Sequence, residues 1–447
     1  MCFNQKIRNI FRKFRFLKFF GYVLISLLSA VCAATVLMII SYSLNTDKIK
    51  QNINYSLVLY EDKSTYTNFA PYIPAAKIDN FGDTFLLNEA GFSRGDTFRK
   101  IVYNAMYVPR YDYLNMESPV HTLRKAYSDI SQDPLKNDAM ISDNSKYWHG
   151  NLVFLKPLFL LMNYSDIIIL NMCIQLILLI ALAAELSKKG GNNLLYAFLS
   201  GIFLLNPITA ALCIEISNIY CICLISMFIM LKKEIYNSPD YLYFFLWTGI
   251  ITVFFDLNTY PAVALGFNLA LMQILTDNPL KERLKQIISS CFIWAVGYVG
   301  MWSSKWILGN LLTDFDVIKD AFFNVAYRMY GADPDFNYTV KDIIICNITS
   351  FKYYLVYIIL GFTVLIFIYR LISRKYRFNF DAAKYTALVF IGILPFVYMC
   401  LIQNHCFTHP FLTHRNLTIT IIVLIYILIS LNKKIGDKNT EKQDFAK

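Results

Sequence analysis

A series of apolar runs, each long enough to cross a lipid bilayer, constrains this chain more than any other feature. The first run, Gly21–Leu44, follows a basic N-terminus, and similar runs recur at Ile167–Glu185, Ile287–Leu312 and Tyr353–Ile372. A helix needs about 20 consecutive apolar residues to span the hydrocarbon core. Because 56% of the residues are hydrophobic and only 16% are charged, we predict an all-α polytopic membrane protein.

Two longer apolar stretches are interrupted near their middle. Leu194–Leu231 breaks at Asn206-Pro207, which predicts either a hairpin of two short spans or one long kinked helix. The hairpin is favoured, because it returns the pair Lys232-Lys233 to the side on which basic residues collect. Tyr241–Leu275, interrupted by Asp256–Pro261, shows the same pattern.

Together with Tyr385–Ile402 and Leu417–Leu431, these runs predict about ten transmembrane helices with both termini cytoplasmic. Residues 1–447 form one multi-pass domain, and residues 45–150 form a large extracytoplasmic loop. Within the loop, Asp96–Val108 and Pro119–Ser131 have amphipathic spacing, typical of helices on the membrane face or in a small soluble subdomain. The formal charge of +11 follows from basic cytoplasmic loops, so no nucleic-acid partner is needed. The richness in Ile, Asn, Lys, Tyr and Phe is typical of an AT-rich bacterial genome, and we predict a bacterial plasma membrane.

The outer loop contains a run, Ile78–Glu89, in which acids alternate with apolar residues. Asp79 and Asp83 share a face if the run is helical, so one carboxylate can act as a general base while the other orients it or binds a divalent cation. Apolar neighbours would desolvate both carboxylates and raise their basicity. Glu89 is taken as a substrate ligand, and no cofactor is assigned. Solvated loop acids or a helix cap are the alternative.

Two further acids lie near or within apolar runs. Asp256 stands at the turn of a predicted membrane hairpin, where an acid is costly and tends to mark a site or a buried partner. It is a third catalytic candidate, and a helix-end residue at headgroup level is the alternative. Glu215 is assigned first to packing or hydrogen bonding and second to a relay.

Basic and aromatic residues predicted on the same outer face are candidates for binding a phosphate or a sugar. They are Trp148, His149, Lys305, Arg328, His409, His414 and Arg415. Arginine forms charge-assisted hydrogen bonds to phosphate. Trp148 and His149 offer rings for sugar stacking or belong to an aromatic belt, and Lys305 between two tryptophans also fits an interfacial anchor.

One span, a large outer loop bearing acids and amphipathic helices, and then many spans with broken pieces form a plan that resembles the GT-C superfamily of membrane glycosyltransferases. The resemblance is architectural and covers most of the chain. It implies transfer of a sugar from a polyprenyl-phosphate carrier to a cell-surface glycan on the outer face. Asp79 or Asp83 would be the base, and outer Arg, Lys or His residues would hold the leaving lipid phosphate.

Two other functions stay open. A polysaccharide polymerase or ligase would depend on Arg328, His409 and Arg415, and a lipid or solute transporter would use the helix breaks at Asn206-Pro207 and Asp256–Pro261 as binding sites. The sequence contains no Walker A loop, dinucleotide fingerprint, HExxH motif or nucleophile elbow. ATP-driven transport, NAD chemistry and zinc proteolysis therefore lack their usual signals.

Overall fold

A computed structural model describes residues 2–58, 66–70, 73, 76–91, 105–107, 141–143, 145–313, 315–331 and 338–435. The first part contains α1 (Cys2–Tyr42), α2 (Thr46–Val58), β1 (Tyr66–Asn68), β2 (Lys77–Asp79), α3 (Asn80–Gly91), β3 (Ala105–Tyr107), β4 (Ile141–Asp143) and α4 (Leu152–Phe159). The middle part contains α5 (Tyr164–Leu204), α6 (Pro207–Leu212), α7 (Ile214–Lys232), α8 (Tyr241–Phe255), α9 (Ala262–Leu275), α10 (Leu280–Leu312) and α11 (Val317–Tyr330). The last part contains α12 (Val340–Phe351), α13 (Tyr354–Ile372), β5 (Tyr376–Phe378), α14 (Ala382–Gly392), α15 (Leu394–Leu401), α16 (Gln403–Thr408), α17 (Pro410–Thr413), α18 (Thr418–Ser430) and β6 (Asn432–Lys434).

Among the described residues, seven helices are long and apolar enough to cross a membrane. They are Leu17–Tyr42, Tyr164–Leu204, Ile214–Lys232, Leu280–Leu312, Tyr354–Ile372, Ala382–Leu401 and Pro410–Ser430. Two shorter apolar helices, α8 and α9, accompany them. The prediction of a helical, multi-pass membrane protein is thereby supported, whereas ten spans and cytoplasmic termini stay predictions.

The helix α5 folds back on itself at Gly191, where the backbone leaves the helical region with φ 63° and ψ −162°. A straight helix would place Leu204 roughly 50 Å from Asn171. Instead, Asn171 donates a hydrogen bond to the carbonyl oxygen of Ala211 at 2.9 Å. Asn206 then adopts the left-handed conformation, and its side chain accepts from the backbone of Thr209. The turn predicted at Asn206-Pro207 is present.

Polar contacts join the predicted cytoplasmic segments to one another. Ion pairs connect Lys189 to Glu234 and Lys232 to Glu185. Lys384 lies 3.4 Å from Asp277. These contacts join the bend of α5 to the end of α7, and the segment after α9 to the start of α14, and we assign both to the end of the bundle predicted as cytoplasmic. The candidate site lies at the other end.

The segment 45–150 contributes α2, α3 and short antiparallel strand pairs to that other end. Tyr66 pairs with Asp79 in β1–β2, and Ala105 pairs with Asp143 in β3–β4. The amphipathic helix predicted over Asp96–Val108 is therefore wrong for residues 105–107, which form a strand. The rest of that segment and Pro119–Ser131 lie outside the described residues.

Close packing of α8 against α10 fixes the rim of the site. A Cβ atom added at Gly249 would lie 2.2 Å from the carbonyl oxygen of Trp294, and one added at Gly297 would lie 2.3 Å from that of Leu246. Small residues of this kind allow membrane helices to approach backbone to backbone. This contact holds α8 against α10, and α8 ends at Phe255, next to Asp256.

Candidate functional site

A polar cavity of about 230 Å³ lies where the outer-loop helix α3 meets α7, α11 and α16. Five of the predicted site residues line it, namely Asp79, Glu89, His149, Arg328 and His409. Glu215, Asn258 and His405 also line it and were not predicted as ligands, and Tyr147, next to the predicted ring-stacking residues Trp148 and His149, lines it as well. The sequence did point to Glu215, because an acidic residue within an apolar run tends to be functional.

Asp79 is placed by the start of α3. It ends β2, and its Oδ1 accepts a hydrogen bond from the backbone N–H of Gly82 at 2.9 Å. An aspartate at this position satisfies one of the free N–H groups of the first helical turn. Its side chain is buried yet lines the cavity. Asp79 therefore caps the helix and also lines the candidate site, so both predictions for this residue hold.

Asp83 lies behind the cavity wall and binds the N-terminus of α7. Its Oδ1 accepts from the backbone N–H of Glu215 at 3.0 Å, and its Oδ2 accepts from that of Ile214 at 3.2 Å and from the hydroxyl of Tyr164. Burial raises the pKa of Asp83, and these hydrogen bonds oppose the shift. A carboxylate at a helix N-terminus is stabilised by the free N–H groups and the helix dipole. These contacts favour an anchoring role for Asp83 over direct contact with substrate.

Glu89 and His149 form a buried pair at the cavity wall. The Nδ1 atom of His149 lies 2.7 Å from Oε2 of Glu89, a close contact without well-aligned hydrogen-bond geometry. His149 has φ 52°, which is uncommon for a residue other than glycine. The next residue, Gly150, donates to the carbonyl oxygen of Phe254 at 2.9 Å, and a Cβ atom there would lie 2.5 Å from that oxygen. The backbone therefore holds His149 against the cavity.

Arg328 of α11 enters the cavity between neutral partners. Its Nη2 donates to the hydroxyl of Tyr147 at 2.8 Å, and its Nη1 lies 3.4 Å from Nδ1 of His405. Nε2 of His405 lies 2.8 Å from the carbonyl oxygen of Asn258. Because a carbonyl oxygen only accepts, Nε2 is assigned the proton and Nδ1 accepts from Arg328.

The electrostatics around Arg328 leave its charge available to a ligand. Burial, Arg328 and His409 lower the pKa of His405 well below its usual value, so this imidazole is neutral. Burial, Arg328 and Lys77 lower the pKa of His409 to about 4. No described residue forms a salt bridge with Arg328. A half-buried guanidinium whose hydrogen bonds go only to neutral groups fits an anionic ligand such as a phosphate.

Asp256 stands just outside the cavity, at the C-terminal end of α8. Its Oδ1 accepts from the backbone N–H of Thr259 at 3.0 Å and from the hydroxyl of the same residue at 2.6 Å. Its Oδ2 is buried and has no hydrogen-bond partner in the part of the chain that the structure describes. Burial raises the pKa of Asp256 to about 6, and the Thr259 hydrogen bonds oppose the shift. It is a neighbour of the cavity and does not line it.

Trp148 and Lys305 support the cavity wall and do not line it. The indole N–H of Trp148, which is 1% exposed, donates to the carbonyl oxygen of Met301 at 2.7 Å. The indoles of Trp302 and Trp306 both donate to the carbonyl oxygen of Lys146, at 2.9 and 3.1 Å. Lys305 is buried, with Nζ 5.4 Å from the centroid of the Trp148 ring. Through these contacts, α10 holds the backbone of residues 146–149, from which the side chains of Tyr147 and His149 reach the cavity.

His414 and Arg415 do not line the cavity. Nδ1 of His414 lies 2.8 Å from the carbonyl oxygen of Pro410. Arg415 is buried, donates to the carbonyl oxygens of Leu205 and Phe411, and stacks its guanidinium 5.6 Å from the centroid of the Tyr260 ring. These contacts join the start of α18 to the turn after α5. The structure thus separates both residues from Arg328 and His409.

A second cavity, of about 860 Å³, is an apolar groove on the other side of the first turn of α7. Its walls come from α4, α5, α7 and α8, including Phe154, Ile174, Ile225 and Trp247. Ile214 and Asn218 line this groove, whereas Glu215 between them lines the polar cavity. One helical turn therefore separates an apolar compartment from a polar one.

Among the described residues, no group of three or more His, Cys, Asp or Glu side chains is arranged to hold a metal ion. A scan against protein-family models and searches among curated proteins and solved structures give no match.

Proposed function

We propose that this protein is a membrane glycosyltransferase of the GT-C type, which transfers a sugar from a polyprenyl-phosphate carrier to a cell-surface glycan. The observation that carries the proposal is the position of the polar cavity beside the apolar groove, on opposite sides of the first turn of α7. A lipid-linked sugar also has an apolar part and a polar part, because its lipid chain is joined through a phosphate to a sugar ring. The lipid chain would match the groove, and the phosphate and sugar would match the polar cavity. The site would face outward, in a bacterial plasma membrane crossed about ten times, with both termini cytoplasmic.

Arg328 is the proposed ligand of the phosphate. Its guanidinium is fixed by Tyr147 and His405, so little side-chain entropy is lost when an anion binds. As the bond between sugar and phosphate breaks, negative charge grows on the phosphate oxygen, and a fixed cation stabilises that charge. His409, which is neutral, supplies a hydrogen bond without adding a second charge.

An acid of the cavity is the proposed base for the acceptor hydroxyl. Of the two loop aspartates, Asp79 lines the cavity, whereas the oxygens of Asp83 are occupied by Tyr164 and the start of α7. Asp79 is therefore the loop aspartate that we propose to contact the acceptor hydroxyl. Glu89, which lies beside His149 in the cavity wall, is the proposed ligand of the sugar. The proposal needs no divalent cation.

The test is surface-glycan composition by mass spectrometry in a deletion strain complemented with wild-type protein or Asp79→Asn. The wild-type protein should restore a sugar that the deletion removes, and Asp79→Asn should fail to do so while inserting normally. Asp240→Asn, which changes an exposed acid before α8, is the matched control. An identical glycan in the deletion and wild-type strains would refute the proposed function.

Transport of a lipid or solute is a second candidate, favoured by the helix breaks at Asn206-Pro207 and Asp256–Pro261. Purified protein in proteoliposomes would then accumulate its substrate without forming a covalent product. A new glycosidic bond in the same preparation would exclude simple transport.

A further inference from the structure

Glu215, the second residue of α7, points its carboxylate into the polar cavity. Its backbone N–H is held by Asp83 at 3.0 Å, so the side chain starts from a fixed position. The residue is 9% exposed, and its Oε2 is buried with no hydrogen-bond partner among the described residues. Asn218, one turn on, donates to the backbone carbonyl of Glu215 and not to the carboxylate.

The opposite wall is built to receive this carboxylate. A Cβ atom added at Gly82 would lie 1.7 Å from Oε2 of Glu215, 2.6 Å from its Cδ and 3.4 Å from Cγ of Asp79. A side chain at that position would displace the carboxylate of Glu215 from where it now lies. The carboxyl groups of Glu215 and Asp79 therefore face each other across Gly82, at the wall of one cavity.

A purely structural role does not explain this arrangement. Buried polar groups in native proteins are normally hydrogen-bonded, and leaving one unsatisfied costs about 1–3 kcal/mol, more for a charged group. An apolar residue at 215 would pack against α3 without that cost. An unsatisfied acid retained in a cavity is typical of a group whose partner is a ligand.

We propose that Glu215 is the catalytic residue that accepts the proton of the acceptor hydroxyl, an inference that rests on the proposed glycosyl transfer. The carboxylate of Glu215 takes the proton through its other oxygen, Oε1, while the acceptor oxygen uses its electron pair to bond to the sugar carbon. The bond from that carbon to the lipid-phosphate oxygen breaks, and its electron pair leaves with the phosphate. Glu215 then releases the proton to water. Asp79, whose Oδ1 already accepts from Gly82, positions the hydroxyl.

The location of Glu215 suits this step. Ile214 and Asn218, its neighbours on α7, line the apolar groove, so the carboxylate lies where a groove-bound lipid would present its phosphate end to the cavity. Arg328 lines the same cavity and would hold the phosphate as it leaves. The acceptor would enter from the polar side, which is lined by Tyr147 and His149.

The experiment compares Glu215→Gln, Glu215→Asp and Asp79→Asn by glycan mass spectrometry in the complemented deletion strain. General-base catalysis contributes typically a hundredfold or more. Glu215→Gln keeps the shape of the side chain, so the modified glycan should fall at least about a hundredfold at a normal amount of inserted protein. Glu215→Asp keeps the carboxylate and should retain part of the activity.

The outcomes separate the two proposals. Normal modification in Glu215→Gln together with its loss in Asp79→Asn would overturn the role of Glu215 and leave glycosyl transfer standing. A wild-type protein that restores no glycan would refute both.

If the Glu215→Gln variant does not fold, a second measurement tests the position of Glu215 in another way. Gly82→Ala places a Cβ atom where the carboxylate of Glu215 lies, so the displaced carboxylate should lower the yield of modified glycan at a normal amount of inserted protein. Normal modification in Gly82→Ala would refute the placement of Glu215 against Gly82 and with it the proposed role.

Discussion

Replacing Asp256 by asparagine should stabilise the protein at neutral pH. Burial raises the pKa of Asp256 from 3.8 to about 6, although Oδ1 accepts two hydrogen bonds from Thr259. A shift of about 2 pKa units corresponds to about 3 kcal/mol. Asparagine keeps an oxygen for Thr259 and replaces the unpartnered Oδ2 by a group that carries no charge.

The pH dependence follows from the sign of the shift. Asp256 in the folded protein binds its proton more tightly than in the unfolded chain, so wild-type stability falls as pH rises from about 4 to about 6. Asparagine does not titrate, so its stability does not change in this window. The variant should therefore match wild type near pH 4 and exceed it by about 3 kcal/mol at pH 8.

The assay is equilibrium unfolding of detergent-solubilised protein at pH 4, 6 and 8, with Asp240→Asn as control. Asp240 is an exposed acid at the other end of α8, so its replacement makes the same chemical change at the protein surface. A gap between Asp256→Asn and wild type that is the same at all three pH values would show that the carboxylate is not desolvated as inferred. A variant that is less stable at pH 8 would show that Oδ2 has a partner.

Three other variants test separate contacts. Asp83→Ala removes the acceptor for Tyr164 and for the first N–H groups of α7, and should lower the free energy of unfolding by about 1–3 kcal/mol in the same unfolding assay. Arg328→Lys lacks the planar group that can hold Tyr147 and a phosphate together, so the yield of modified glycan, measured by mass spectrometry, should fall at an equal amount of inserted protein. Gly150→Ala places a Cβ atom 2.5 Å from the Phe254 carbonyl oxygen and should lower the melting temperature, whereas Gly361→Ala, with open space around it, should not. Equal melting temperatures for the two alanine variants would contradict the close approach at Gly150.

The sequence by itself determined the membrane class and much of the helix order. Apolar length, basic clusters and the breaks at Asn206-Pro207 and Asp256–Pro261 are local properties, and the helices end and begin at these breaks. The cap at Asp79 was also readable, since an aspartate before a helix binds the first free N–H groups. Local pattern did not predict the strand at residues 105–107, because its pairing with β4 is not local.

Only the tertiary structure decided which of the candidate residues meet. Asp79 and Asp83 look alike in the sequence, yet one lines the cavity and the other binds the start of α7, more than a hundred residues away. The same packing joins Arg328 to Tyr147 and His405 and separates it from Arg415. It also turns Glu215, one acid within an apolar run, towards Gly82. The partners of a buried polar side chain depend on which distant helices pack beside it, and no local pattern in the chain contains that information.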